Sequence, residues 1–292
     1  MAGRAPRRAP VDVGPVGPLL TAVGRSPRGE WPAGGFPFDL PALGGIARGG
    51  RLDLDAPVTL FVGENGTGKS TLLEALAVAA DLPALGSDRP RDDPTLGPAR
   101  ALAGALALSW RVRQRHGFFL RAEDFFGYAK ARARNDARVD REERERLGLA
   151  EPSLLDAETG RHADDVGAER YVGRYDARSH GESFLDAFTG RITAGRALYL
   201  LDEPEAALSP QRQLAFVGLV LERVRTGAQF VIASHAPIVL ALALAVEGAR
   251  LYEFGGGAPA EARYEELEHV RLVREFLARP EAYVRRLVGE GE

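Results

Sequence analysis

No cysteine occurs among the 292 residues, so a disulfide scaffold and thiolate chemistry are both excluded. Long apolar runs are also missing. The longest, around Ala101–Leu108 and Ile238–Val246, fall well short of the roughly 20 residues a membrane-spanning helix needs. Arg4, Arg7 and Arg8 stand near the start, but the segment after them is broken by Gly14, Pro15, Gly17 and Pro18. It is not the continuous apolar core of a secretion signal. These absences predict a soluble cytoplasmic protein without a transmembrane segment. The net charge of −3 gives no global attraction to nucleic acid or acidic membrane, and leaves a local basic patch open. Nucleic acid as a partner is therefore undecided at this level. Lysine is nearly absent: 36 of the 38 basic residues are arginine, and only Lys69 and Lys130 are lysine. A lysine at Lys69 stands out against that background.

Residues 1–30 are rich in Pro, Gly and Arg and lack periodicity, which predicts a disordered lead-in, with order beginning near Trp31. Val58–Val62 reads as a buried parallel strand, followed by a glycine-rich turn and a helix over Ser70–Asp81. Residues 83–100, with four prolines, read as a surface excursion. Leu106–Arg113 and Gly117–Arg121 are further candidate strands. The charged stretch after Glu123, ending in Arg141–Arg146, predicts a mainly helical insert over about 124–178. Two more buried-strand patterns, Ala197–Leu201 and Phe230–Ala233, flank a helix opened by Ser209-Pro210. Leu214, Val217, Leu221 and Val224 recur along that helix. Strands alternating with helices predict an α/β core built on a parallel sheet.

The loop Gly63-Glu64-Asn65-Gly66-Thr67-Gly68-Lys69-Ser70, followed by Thr71, satisfies the G-x-x-x-x-G-K-[ST] pattern between strand and helix. Its glycines let backbone amides approach phosphates, and the helix N-terminus adds a favourable dipole. The assigned roles are Lys69 on the β- and γ-phosphates, Ser70 on Mg²⁺, and Thr71 on a phosphate. Leu198-Tyr199-Leu200-Leu201-Asp202-Glu203 has the form of a strand ending in two carboxylates. Asp202 is the candidate for the Mg²⁺ shell, and Glu203 for orienting or deprotonating the attacking water. ATP and Mg²⁺ are the expected ligands.

These residues, with three further strings, resemble the ATP-binding-cassette ATPases, in particular the soluble branch related to SMC and Rad50 heads. Ser179-His180-Gly181-Glu182-Ser183 resembles the signature motif, Pro204–Pro210 the D-loop, and Ser234-His235-Ala236-Pro237 the switch-histidine segment. The similarity covers about 60–240. It implies a cassette-type ATPase domain over 31–292: a P-loop core of mostly parallel sheet flanked by helices, an N-terminal antiparallel β region and a small helical subdomain. It also implies an ATP-sandwiched head-to-tail homodimer, in which Ser179, Gly181 and Glu182 complete the partner copy's site and His235 senses the γ-phosphate. Ser179 and Glu182 equally fit a helix-capping box, and the two roles are compatible.

The sequence departs from the family pattern in places. The signature reads Ser-His-Gly-Glu, and Ser209 stands where the D-loop often has aspartate. No Q-loop glutamine is evident; Arg121 or Glu123 is the candidate substitute. Phe36 and Phe38 lie where an aromatic can meet adenine, although core packing is the favoured role for both. His116, His162, His180 and His269 lack a site context. The preferred function is a soluble ATP hydrolase that drives conformational change in a partner. The alternatives are the ATP-binding subunit of a transporter, with a separate permease, or a DNA-repair or phage-defence ATPase with a separate effector. About 55 residues follow His235, too few for an appended nuclease of ordinary size.

Overall fold

In the computed structural model, residues 17–84, 96–113, 116–121, 146, 191–206 and 208–287 are described. The predicted insert over about 124–178 and the signature string 179–183 lie outside them, as does Glu123.

Two sheets organise the chain. The first is antiparallel: β1 (Leu20–Arg25) lies between β2 (Arg51–Asp53) and β4 (Leu106–Trp110). The second has the order β5 (Gly117–Arg121), β6 (Leu198–Asp202), β7 (Gln229–Ala233), β3 (Val58–Gly63), β8 (Arg250–Phe254) and β9 (Ala260–Glu261). Its strands pair in parallel from β5 through β8, and only β9 is antiparallel. The fold is thus α/β, with an antiparallel sheet beside a mostly parallel one.

Strand alternation creates two cores. Leu60, Tyr199, Leu201, Phe230 and Ile232 point to one face, where they pack under helix residues Phe216, Val220 and Val224. Phe61, Leu198, Leu200, Val231 and Ala233 point to the other, against Leu72, Leu73, Leu76 and the antiparallel sheet. The helix following β3, α1 (Lys69–Ala80), is buried on most sides because it lies between the parallel sheet and further structure. One of its covers is α2 (Gly97–Ala105). On the opposite face lies α3 (Pro210–Arg225). Tyr199 anchors that core, its ring 5.1 Å from Phe118 and 5.0 Å from Phe230. Its hydroxyl accepts from the Thr193 amide at 3.1 Å.

Several expectations require correction. Order does not wait for Trp31, because β1 begins at Leu20, inside the segment read as a lead-in. This strand has little periodicity of its own. It is held by neighbours on both edges and by Gln229, whose Oε1 accepts from the amides of Leu19 and Leu20 at 2.9 and 2.8 Å. The excursion over 83–100 closes on a true helix, α2, with Pro98 in its first turn. Ser209 occupies the N-cap position of α3, but only its carbonyl serves the helix, accepting from Arg212 and Gln213, each at 2.9 Å. The buried stripe of α3 runs through Phe216, Leu219, Val220 and Val224, which leaves Leu214 61% exposed. Both stripes have helical spacing, and the larger Phe216 side chain sits on the face turned to the core.

Beyond β9 the chain ends in α4 (Glu268–Ala278) and α5 (Pro280–Leu287). Leu267 and Val270 enter the core, whereas Leu277 and Leu287 stay exposed.

Candidate functional site

In parallel sheets, ligands bind beyond the carboxyl ends of the strands. Here the ends of β3, β7 and β6 lie side by side, with Phe61 opposite Ala233 and Ala233 opposite Asp202. Every described candidate of the phosphate site emerges from one of these three ends.

The turn after β3 requires glycine. Gly63 has φ +143°, and a Cβ there would sit 2.0 Å from the Phe254 carbonyl oxygen. Gly66 and Gly68 also have positive φ, 81° and 100°. Lys69 then opens α1, and its Nζ donates to the carbonyls of Gly63 at 2.6 Å and Glu64 at 2.8 Å. An ammonium has three N–H donors, so one is left for a phosphate oxygen. Burial lowers the Lys69 pKa, while the charges of Glu203 and Asp202 push it back up.

On β6, alternation places Asp202 on the same face as Leu198 and Leu200, the face that carries α1. The Ser70 hydroxyl accordingly donates to Asp202 Oδ1 at 3.0 Å. Burial raises the Asp202 carboxyl to about 7, a shift opposed by the Ser70 hydrogen bond and by Arg121. A hydroxyl and a buried carboxylate held together are a fitting donor pair for a hard divalent cation. Among the described residues, no cluster of three or more His, Cys, Asp or Glu side chains is placed to hold a metal.

Glu203 follows in a left-handed backbone conformation, φ +48°, uncommon for a non-glycine residue. Its amide donates to the Ala233 carbonyl at 2.9 Å, which fixes the turn against β7. From the end of β7 comes His235, whose Nε2 lies 3.6 Å from Glu203 Oε1. That is too long for a hydrogen bond but leaves both groups turned to one space. Among the described residues, the His235 Nε2 atom has no hydrogen-bond partner.

The structure thus brings together the loop Gly63–Gly68, Lys69, Ser70, Asp202, Glu203 and His235, with Thr71 in the first turn of α1. It does not describe Ser179, Gly181 or Glu182. Arg121 ends β5 opposite Asp202 and reaches Glu74 of α1 at 2.6 Å. Phe38 packs edge-on against Trp31 at 5.4 Å, but Phe36 is 63% exposed, contrary to the core role expected for it. With no Cβ on Gly68, Leu40 and Ala42 close over the phosphate loop and leave Phe36 outside that contact.

Two residues at the site carried no role in the sequence reading. Glu205 accepts from Ser234 Oγ, His235 N and Ala236 N. His269, at the start of α4, has its pKa lowered by burial and then by its proximity to His235. Only the acidic residue beside the Asp-Glu pair hinted at the first. Nothing local marks the second, because its neighbour lies 34 positions upstream.

Comparison with known proteins bears on the identity of this site. Residues 43–97 match the model of an AAA domain. Over 246 residues the chain is 34% identical to the hemin import ATP-binding protein HmuV of Streptomyces coelicolor, covering 76% of this chain and 79% of that protein. The chain belongs to the ATP-binding-cassette ATPases. It is an ATP hydrolase of the P-loop class. A second relative is the cobalt import ATP-binding protein CbiO of Salmonella paratyphi A, 28% identical over 82% of this chain and 85% of the relative. Solved structures that match include a nucleotide-free cassette from an ABC transporter, at TM-score 0.35 and 18% identity over 80% of this chain and 91% of that one. Another is an ABC-transporter cassette in its ADP conformation, at TM-score 0.38 and 16% identity over 91% and 98%. The relatives reported are import ATP-binding proteins rather than SMC or Rad50 heads, so the finer branch expected from the sequence gives way to the broader family. No helix among the described residues of this cassette ATPase is long and apolar enough to cross a membrane.

Proposed function

We propose that this cassette ATPase is the motor subunit of an importer-type system, acting as a head-to-tail homodimer at the cytoplasmic face of a separate permease. The observation that carries this reading is the convergence of Lys69, Ser70, Asp202, Glu203 and His235 at three adjacent strand ends, in a chain similar over most of its length to import ATP-binding proteins.

In this mechanism the loop amides and the N-terminus of α1 cradle the phosphates, and the free N–H of Lys69 binds between β and γ. Ser70 and Asp202 would hold Mg²⁺, which would supply neutralisation of phosphate charge. Glu203 orients water for in-line attack on the γ-phosphorus. The bond from that phosphorus to the β–γ bridging oxygen breaks, and ADP and phosphate leave. His235 donates to the γ-phosphate as charge develops. Ser179 and Gly181 of a second copy, with Glu182 beside them, close the site from the opposite side.

Lys69→Ala is expected to weaken ATP binding at least about 100-fold, and Glu203→Gln to keep binding while slowing turnover about 1,000-fold. Calorimetry and a phosphate-release assay read these two effects. Full-rate hydrolysis by Glu203→Gln would remove the catalytic assignment. The permease is tested by purifying tagged Glu203→Gln protein from detergent-solubilised membranes of the source cells with Mg-ATP. A stoichiometric multi-spanning protein is expected.

The second reading, an SMC/Rad50-like ATPase with a separate repair or defence effector, draws on the Ser179-His180-Gly181-Glu182 signature. A soluble nuclease or toxin as the stoichiometric partner would favour it.

A further inference from the structure

Three donors converge on one carboxylate oxygen just beyond the catalytic pair. Glu205 Oε1 accepts from Ser234 Oγ at 2.7 Å, from the His235 amide at 2.7 Å and from the Ala236 amide at 3.2 Å. The other oxygen, Oε2, is buried with no hydrogen-bond partner among the described residues. These donors belong to the segment that leaves β7 after its last ladder bond, Ser234 N to the Phe61 carbonyl at 3.0 Å. Without Glu205, the His235 amide would lose its acceptor, and the Ala236 amide would keep only the Ser234 hydroxyl at 3.1 Å. Hydrogen bonds to a carboxylate are the stronger kind, so this clamp holds the backbone of His235 more firmly than a neutral cap would.

We propose that Glu205 is a positioning residue for His235, coupling the segment after the Asp-Glu pair to the histidine that faces the γ-phosphate. The histidine has one carboxylate near each of its ends. Glu203 lies 3.6 Å from the imidazole of His235, and Glu205, two residues on, holds that histidine's backbone. This arrangement is itself anchored, since the Glu203 amide bonds to Ala233 and the Glu205 carbonyl accepts from Leu208 at 2.8 Å. A displacement of residues 203–208 is therefore passed directly to His235. A purely local cap would serve the same amides, but it would not tie the histidine's contribution to Glu205. The inference rests on the reading of His235 as a γ-phosphate ligand.

The test compares kcat and KM for ATP in E205A, E205Q, E205D, H235A and the double variant E205A/H235A, all as full chains with melting temperatures recorded. E205A is expected to lower kcat about 100-fold with KM changed less than about threefold. E205Q keeps an acceptor oxygen at the same reach and is expected to recover at least about tenfold over E205A. E205D keeps the charge but withdraws the oxygen by one methylene, so it is expected to fall below E205Q. The double variant is expected within about twofold of H235A, because a residue acting through another adds little once that other is gone. Should E205A fail to fold, the order of E205Q and E205D decides. A normal kcat in E205A, a change in KM alone, E205D above E205Q, or multiplicative losses in the double variant would each overturn the proposal. H235A at the wild-type rate would instead remove the reading of His235 on which it rests.

Discussion

Asp202, the proposed Mg²⁺ ligand, is held at a cost to the fold. Its carboxyl is buried at the end of β6 and pushed up to about 7, whereas the unfolded chain titrates it near the ordinary carboxylate value of 3.8. Between those values the folded state binds the proton more tightly, so stability falls as pH rises from about 4 to about 7. Above that window the full penalty applies. Asp202→Asn removes the charge while keeping an acceptor for the Ser70 hydroxyl. The metal-free variant is therefore expected to melt several degrees above the wild type at pH 8, with the gap closing towards pH 4. Scanning calorimetry across that range checks the sign, and a variant less stable than the wild type at pH 8 would contradict the burial argument. The same variant is expected to lose Mg²⁺-dependent hydrolysis, since the amide cannot replace a carboxylate at a hard cation. Ligation of Mg²⁺ with nucleotide reverses the penalty, so it is expected to stabilise the wild type most at pH 7 and above.

At the scale of elements, one buried side-chain amide joins the two sheets by hydrogen bonds. Gln229, 1% exposed at the start of β7, accepts from Leu19 and Leu20 and donates to the carbonyls of Leu20, Leu54 and Ala56. Replacing it with leucine leaves these backbone groups buried without their partner. Urea denaturation of Gln229→Leu is expected to show a loss of about 3 kcal/mol or more, and a loss below about 1 kcal/mol would mean water takes its place. This joint was not legible in the sequence, because a polar residue at the head of an apolar strand carries no mark of partners some 200 positions away. The same holds for Glu205. By contrast, β3, β6 and β7 were readable as apolar runs flanked by motif residues, and α1 as a helix after a glycine loop. The strands β1, β2 and β8 escaped because they are short and interrupted by glycine or charge, and partners rather than periodicity stabilise them. The phosphate site was legible almost residue by residue, since its chemistry needs particular residue types at fixed spacing. The cost of each change at that turn is equally specific. Gly63→Ala is expected to disrupt nucleotide binding through a clash with the Phe254 carbonyl.

On the scale of the whole molecule, the proposed dimer makes a prediction that no single-chain mechanism shares. In a head-to-tail pair each site draws Lys69 from one copy and Ser179 with Gly181 from the other, and two-fold symmetry makes both sites equivalent. Lys69→Ala and Ser179→Arg chains are then each inactive alone, for different reasons. In a mixed dimer, one site carries both defects and the other carries none. Equal mixing places half of the dimers in the mixed class, each with one sound site, so activity is expected to recover to about one quarter of the wild-type value if sites fire independently. Cooperative firing lowers that figure without abolishing the recovery over either variant alone. A chain that hydrolyses ATP as a monomer shows no recovery at any ratio. Light scattering of Glu203→Gln with and without Mg-ATP separates the remaining case, a dimer in which each copy completes its own site: that arrangement doubles the mass on nucleotide binding but leaves the mixture inactive. Recovery together with nucleotide-dependent doubling is the outcome that assigns Ser179 and Gly181 to the opposing copy's phosphates.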